Sequence, residues 1–596
     1  MPALSAAPEA AAARAGVVLI VALAALVLLR AWGTFVPGMF AWGINHVRFV
    51  APPLGWPLLV LSLLVLLPWL ARPVTPLVVG VGDLLAQRPV VAASLAAVSG
   101  AAIVLAFPDQ LRFVGDFLLR QGTVEEAGKP GVLFPQALPL DVFLHLTLPT
   151  RIMETGLFNA NGAARAIGAV EAGLLAVLAV MLARVLALRG AAAVAAVAIV
   201  WWSGALTMFT GYSKAFAELA LLSAAAAVFA LRSLRHGTPP LGLGIVLGLG
   251  LTLHRSALGL APVWLLTWAM WAWSHGRAGG WRRPPAWIAL AIPALGLGFM
   301  LPRIIATFLR WDAVHLTPET VRQQGGPLQA AFAGPRALDL ANLLMVLSPA
   351  LLALLAALVA FGRGLPRRRE ALLLLALVAP LAGIIPFIHP AQGLFRDWDD
   401  FASAAAALGV AGAWVAGEIL RGAPRLAWLA PALVLAVAAP TLQWLAVQND
   451  LERGLRRTEA LVMGPPRRVG PEWGNTWDYL GVRNYRLERW ESSARAFGNA
   501  ARTSPSPRIL LQWGLAESRA GNFAESMRAH RILVERNPDD YLGWGGIASA
   551  ASQMKDVAAA REAAREMNRI RPGDRNAQML VESIEEYLQK HPETPR

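Results

Sequence analysis

The sequence predicts an all-α protein: a polytopic transmembrane helix bundle of about 13 spans, followed by an extracytoplasmic α-solenoid of helical repeats. Three observations lead there. Of 596 residues, 56% are hydrophobic and only 15% charged, with mean hydropathy +0.51, whereas soluble chains carry about 25% charged residues. Apolar runs near the ~20 residues that a bilayer requires recur as far as residue 447. Beyond it the composition changes abruptly, and a repeat of about 34 residues takes over.

The apolar runs lie near 15–36, 53–71, 89–107, 167–187, 190–210, 215–231, 240–253, 257–274, 284–307, 341–362, 370–388, 402–420 and 426–447. The run at 240–253 is short enough to be tilted or broken. The first run lacks an A-x-A-like cleavage site and is followed by further spans, so it reads as an anchor rather than a cleaved signal peptide. Residues 1–447 form the membrane domain, 448–473 a linker rich in Pro and Gly ("GPPRRVGPEWG"), and 474–596 the repeat domain.

Basic residues orient the bundle. Arg72/Arg88, Arg184/Arg189, Arg232/Arg235, Arg277/Arg282/Arg283, Arg363/Arg367/Arg368/Arg369 and Arg421/Arg425 fall on every second turn, nearly without acid apart from Asp83 and Glu370. The positive-inside rule puts these turns and the N-terminus in the cytoplasm, and everything after Val447 outside. Residues 448–596 hold 23 basic and 20 acidic side chains, so +12 of the formal +15 belongs to the membrane part. The charge is therefore an orientation signal and does not call for nucleic acid. The absence of Cys removes disulfides and thiolate metal sites. Scarce Lys beside abundant Ala, Gly, Pro and Arg fits a GC-rich bacterial genome, hence a bacterial cytoplasmic (inner) membrane with the tail in the periplasm.

In the tail, "WDYLG" at 477–481 is followed by Phe497, Ala500 and Pro505. "QWGLAESRAGNFAESM" runs into Pro538, and "GWGGIASA" with Ala560 runs into Pro572. These "W..LG", "A…F..A" and terminal Pro positions resemble the tetratricopeptide (TPR) family over about 100 residues, and 575–590 reads as the polar capping helix such arrays need. The resemblance implies a concave surface for a protein or peptide.

With the bundle so oriented, its unusual polar residues collect on the outer side, in loops near 37–52, 108–166, 211–214, 254–256, 308–340 and 389–401. A charge at a span centre costs roughly 2.5–3.5 kcal/mol, so such residues tend to be paired or functional. In "LRFVGDFLLRQG", Arg112, Asp116 and Arg120 stand four apart, on one stripe of a helix. They form either an ion-pair ladder on the membrane surface or part of a site. Asp109 precedes them. Tyr212 and Lys214 occupy "TGYSKAFAE", where Lys214 and Glu218 have the spacing of a plain helix pair. His254–Arg255 ends a short span, as a snorkelling arginine would. "RDWDD" at 396–400 crowds Arg396, three carboxylates and Trp398 between two spans. Carboxylates accept from sugar hydroxyls, Trp faces stack on pyranose rings, and arginine grips phosphate.

This pattern resembles the membrane-embedded GT-C glycosyltransferases over about 89–447. Those transferases move a sugar from a polyprenyl-phosphate carrier on the extracytoplasmic face, and several relatives end in TPR arrays. The resemblance implies that Asp116, which follows Gly115 in the first large outer loop, is the catalytic carboxylate, accepting the acceptor's proton or orienting its oxygen. It implies donor-phosphate contacts from His254, Arg255, Lys214 and Arg396, and sugar contacts from Asp397, Trp398 and Asp399. Asp109, Arg112, Arg120, Tyr212 and Glu218 are further candidates. The first loop has no Asp-Glu or Asp-x-Asp pair, so a divalent metal cofactor stays open. The expected partners are membrane lipid, the lipid-linked donor and a protein or glycan acceptor engaged by the TPR domain. The alternatives are an O-antigen ligase or O-oligosaccharyltransferase-like enzyme, and a non-catalytic transporter or assembly scaffold. An inverted-repeat transporter would carry mid-span charges in both halves, a symmetry the sequence lacks.

Overall fold

Proline and small residues decide where these helices start and how closely they pack. Pro52, Pro68, Pro89 and Pro284 each open a helix, at a position whose amide has no intrahelical acceptor. The computed structural model describes residues 6–113, 136–212, 214–275, 280–312, 319–365 and 367–591. All regular secondary structure among these residues is helical. The chain divides into two units, Met1–Gly454 and Leu455–Arg596.

In the first unit, nine of the described helices are long and apolar enough to cross a membrane: Glu9–Phe35, Pro68–Gln87, Pro89–Ala106, Ala160–Val185, Phe216–His236, Pro284–Arg310, Arg368–Phe387, Trp398–Gly422 and Leu429–Asn449. A tenth candidate is the pair Arg336–Leu347 and Leu351–Phe361, bent by 89° at its break. The chain is thus a membrane-embedded helix bundle, with nine or ten candidate spans among the described residues rather than the expected thirteen. The runs at 53–71, 190–210, 240–253 and 257–274 carry shorter helices, Pro52–Leu64, Gly190–Trp201, Leu241–Leu253 and Ala261–His275. At 1.5 Å per residue, 13 residues reach only about 20 Å of a ~30 Å hydrocarbon core.

Helix Ala402–Gly422 is the axis of the bundle. Its sequence begins "ASAAAALGVAGA", and 89% of the apolar window of this span is buried. Small side chains let neighbouring backbones approach closely. Helices Gly190–Trp201, Phe216–His236 and Leu351–Phe361 pack against it. Pro89–Ala106 and Pro284–Arg310 are each 17% buried and lie at the periphery. Arg30, buried within the first span, donates to the carbonyls of Pro349 (2.5 Å) and Ala436 (2.7 Å). Pro349 lies in the break of the bent pair, where the carbonyl ladder is interrupted.

The Arg72–Arg88 connection, expected as a cytoplasmic turn, is largely helical, as part of Pro68–Gln87. Gly82 touches the carbonyl of Gly190 so closely that a Cβ there would lie 1.8 Å from it. Val79 packs beside Gly190 and also lines a cavity with Trp428, which precedes Leu429–Asn449. Twelve residues further on in both neighbours, Thr441 Oγ1 donates to the Trp202 carbonyl at 2.7 Å. The two neighbouring helices therefore run side by side in one direction, and the 75–82 stretch lies across their starts. Trp69, Leu77 and Val81 are exposed, as on a helix lying in a membrane interface.

In the second unit, seven helices from Gly470–Arg486 to Arg575–Lys590 follow one another, each packed on the next. Two contacts recur at one interval. Ser493 Oγ donates to the Gly481 carbonyl (3.0 Å), and 33 residues later Ser526 Oγ donates to that of Gly514 (2.8 Å). Glycine is required at 481 because Phe497 lies over it, 2.6 Å from where a Cβ would stand. Residues 451–463, expected within a linker, are helical.

Candidate functional site

The "RDWDD" motif turns through a short 3₁₀ segment, Trp398–Phe401, directly into the axial helix. That turn drives its middle inward. Trp398 is 1% exposed and Asp399 is fully buried. Lys214, which precedes helix Phe216–His236, stands between Asp399 Oδ2 and Asp400 Oδ1, 2.8 Å from each. The side chains of Lys214 and Asp400 remain about a quarter exposed. The expected Lys214–Glu218 pair does not form. Lys214 lies ahead of the first helical residue, so the i,i+4 geometry of a helix face does not apply to it.

Other loops meet the same place. Trp398 packs edge-on against Tyr212 (5.7 Å) and Trp444 (4.5 Å). The Tyr212 hydroxyl accepts from Gln448 Nε2 at 3.2 Å. From the first long loop, Asp109 N–H donates to the Thr210 carbonyl (3.0 Å) and Gln110 N–H to that of Gln448 (2.9 Å). The ring of Phe216 joins Lys214 to the next pair: Lys214 Nζ lies 5.1 Å from it, and His254 packs on it at 4.7 Å. Arg255 in turn reaches His254 Nε2 at 3.1 Å. Residues expected together from four loops thus converge around Lys214.

The details change several expectations. Trp398 has no open ring face for a sugar, because its faces and edge are taken up by the core. Asp397 is buried, and its Oδ2 accepts from Gln392 N–H (3.1 Å). Burial and the neighbouring Asp400 push the Asp397 carboxyl up to about 6, against the pull of Lys214 and Arg396. Arg396 is buried, with its guanidinium over Phe113 at 5.6 Å. Arg112 is not on a helix. Its φ is 54°, and its N–H donates to Asp109 Oδ2 at 2.6 Å, so Asp109 closes a tight turn. Asp116 and Arg120 lie outside the described residues.

A second buried cluster adjoins this one and was not foreseen. His145 Nδ1 lies 2.9 Å from Asp141 Oδ1, and His145 Nε2 lies 3.2 Å from Glu218 Oε1. Glu171 lies against Glu218. Burial alone would lower the His145 pKa. The carboxylates of Glu218 and Asp141 outweigh it and raise it to about 9. The i,i+4 spacing of Asp141 and His145 was the one signal of this cluster in the sequence. On the late loop, burial and the charge of Arg336 lower His389 to about 4, so it is neutral at pH 7.

Among the described residues, no group of three or more His, Asp or Glu side chains is arranged to hold a metal ion. The divalent metal left open by the sequence therefore has no ligand set among them. Set beside known proteins, the chain matches no family model and no curated protein sequence.

Proposed function

We propose that the protein is a GT-C-type transferase of the bacterial inner membrane, moving a sugar from a polyprenyl-phosphate donor to an acceptor on the periplasmic face. The observation that carries this reading is the meeting of Lys214, Asp400, His254 and Arg255 from three separate loops at one end of the bundle. Arginine, lysine and carboxylate at one mouth suit a phosphate leaving group and a hydroxylated sugar. The basic turns at the opposite ends of the helices support a cytoplasmic N-terminus and an outward-facing site. In the second unit, the serine–glycine contacts 33 residues apart support a TPR array, which would engage the acceptor.

The acceptor oxygen attacks the anomeric carbon as the bond from that carbon to the phosphate oxygen breaks. Lys214 and Arg255 stabilise the departing polyprenyl phosphate. Asp116 takes the acceptor proton or aligns the oxygen. Asp400 contacts sugar hydroxyls from the accessible side of Lys214, while Trp398 and Asp399 hold the turn that presents it. Asp109 has a structural part, fixing the bend before Asp116.

The test is sugar transfer from a polyprenyl-phosphate donor in membranes with matched protein levels. Asp116→Asn is expected to insert normally and lose on the order of 10²–10⁴ in rate, the range for a general base. Asp109→Asn, whose amide oxygen still accepts the Arg112 N–H, is expected to lose less. Full activity of Asp116→Asn would remove that residue from the mechanism. Wild-type rates from both Lys214→Gln and Arg255→Gln would remove the phosphate site.

A further inference from the structure

At the far ends of the helices from Lys214, the interfacial helix Pro68–Gln87 and the turn before Leu429–Asn449 line an open surface cavity of about 350 Å³. Its walls include Arg72, Thr75, Val79, Arg425 and Trp428. Arg72 and Arg425 are exposed, and neither makes an ion pair or hydrogen bond with any described residue. Elsewhere at this end, Arg235 and Arg367 pair with Glu370, and Arg421 pairs with Glu418. Two guanidinium groups held around one cavity with no acid to neutralise them favour an anion. Apolar walls from Val79 and Trp428, and the exposed Trp69, Leu77 and Val81 on the same helix, place that cavity at the depth of headgroups.

We infer that this cavity binds the phosphate of an anionic phospholipid, with Arg72 and Arg425 on the phosphate oxygens and the lipid chains along the exposed face of Pro68–Gln87. Basic pockets between membrane helices take acidic headgroups in this way. The inference is independent of the proposed transfer chemistry. The site would anchor the interfacial helix, whose own burial in the bundle is slight (11%).

Native mass spectrometry of the detergent-purified full chain tests it, with phosphatidylglycerol or phosphatidylcholine added and inorganic phosphate as competitor. The wild type is expected to retain one phosphatidylglycerol in preference to phosphatidylcholine. The Arg72→Gln/Arg425→Gln double variant should weaken that binding about 25-fold, a factor of roughly five for each basic residue near a lipid surface. Arg88→Gln, at the end of the same helix but outside the cavity, should leave it unchanged. Both replaced arginines are exposed and unpaired, so the double variant is expected to keep the wild-type melting temperature. Equal phosphatidylglycerol retention by wild type and double variant would overturn the proposal. So would displacement of the lipid by millimolar inorganic phosphate, which would mark a free-phosphate site instead.

Discussion

The parallel helices Phe216–His236 and Ala402–Gly422 carry charges at both ends, and the two ends treat them differently. At the far end, Glu370 accepts from Arg235 through both oxygens (2.8 and 2.9 Å) and from Trp414 Nε1 (2.9 Å), with Arg367 at 3.4 Å. Glu418 is flanked by Arg421 at 3.1 Å and Arg367 at 3.7 Å. Arginines outnumber acids there, and the planar forks saturate the carboxylate. At the near end the ratio is inverted. One lysine serves Asp399 and Asp400, and the buried Asp399 Oδ1 has no hydrogen-bond partner among the described residues. The far end is arranged as a clamp. The near end keeps a lysine and a carboxylate within reach of solvent, as a binding site requires.

Replacing Glu370 by Gln should give the largest effect. It leaves the half-buried Arg235 facing a neutral amide, and removing one partner of a buried pair costs roughly 3–5 kcal/mol. The expected outcome is a clear drop in melting temperature and membrane abundance. A wild-type melting curve would remove the clamp from the comparison.

The cluster beside the near end should show itself in pH dependence. His145 has its pKa raised from 6.5 to about 9 in the folded chain, so the stabilisation is fully present below pH 6.5 and is lost as pH rises towards 9. The melting temperature in detergent should fall across that window, and His145→Gln should flatten the fall. Equal slopes for the two proteins would show that His145 is not the group responsible.

Asp400→Asn should disturb stability least. The pair is partly exposed and Lys214 keeps Asp399, so about 0.2–1 kcal/mol is at stake. Donor affinity should nevertheless fall, read as a raised KM for the lipid-linked sugar. A stability loss as large as that of Glu370→Gln would make the two ends alike, and the near end would be scaffolding.

Much of this arrangement was legible in the sequence. The helical class, the membrane character and the polar loops that meet around Lys214 follow from hydropathy and from charges where apolar residues belong. Partner choice did not follow. Lys214 pairs with residues 185 and 186 positions away because it falls just before its helix, and no local spacing announces that. The inward turn of Trp398 and Asp399 depends on the 3₁₀ segment feeding the most buried helix, a tertiary effect. The thirteen expected spans exceed the nine or ten candidates among the described residues because apolar runs broken at Ser203 or Leu64 still read as continuous, and the short run before His254 was counted as a span of its own. The Asp141–His145–Glu218 cluster joins residues whose only sequence signal was one i,i+4 step.

Arg30 ties the order of synthesis to the finished bundle. One of its acceptors, the Ala436 carbonyl, lies 406 residues later. At about 5–20 residues per second, the first span waits roughly 20–80 s with a guanidinium in the bilayer before its last partner is made. The N-terminal span therefore cannot settle early. A ribosome that stops before Leu429–Asn449 leaves behind a chain whose first helix holds a guanidinium still lacking one of its two carbonyl acceptors.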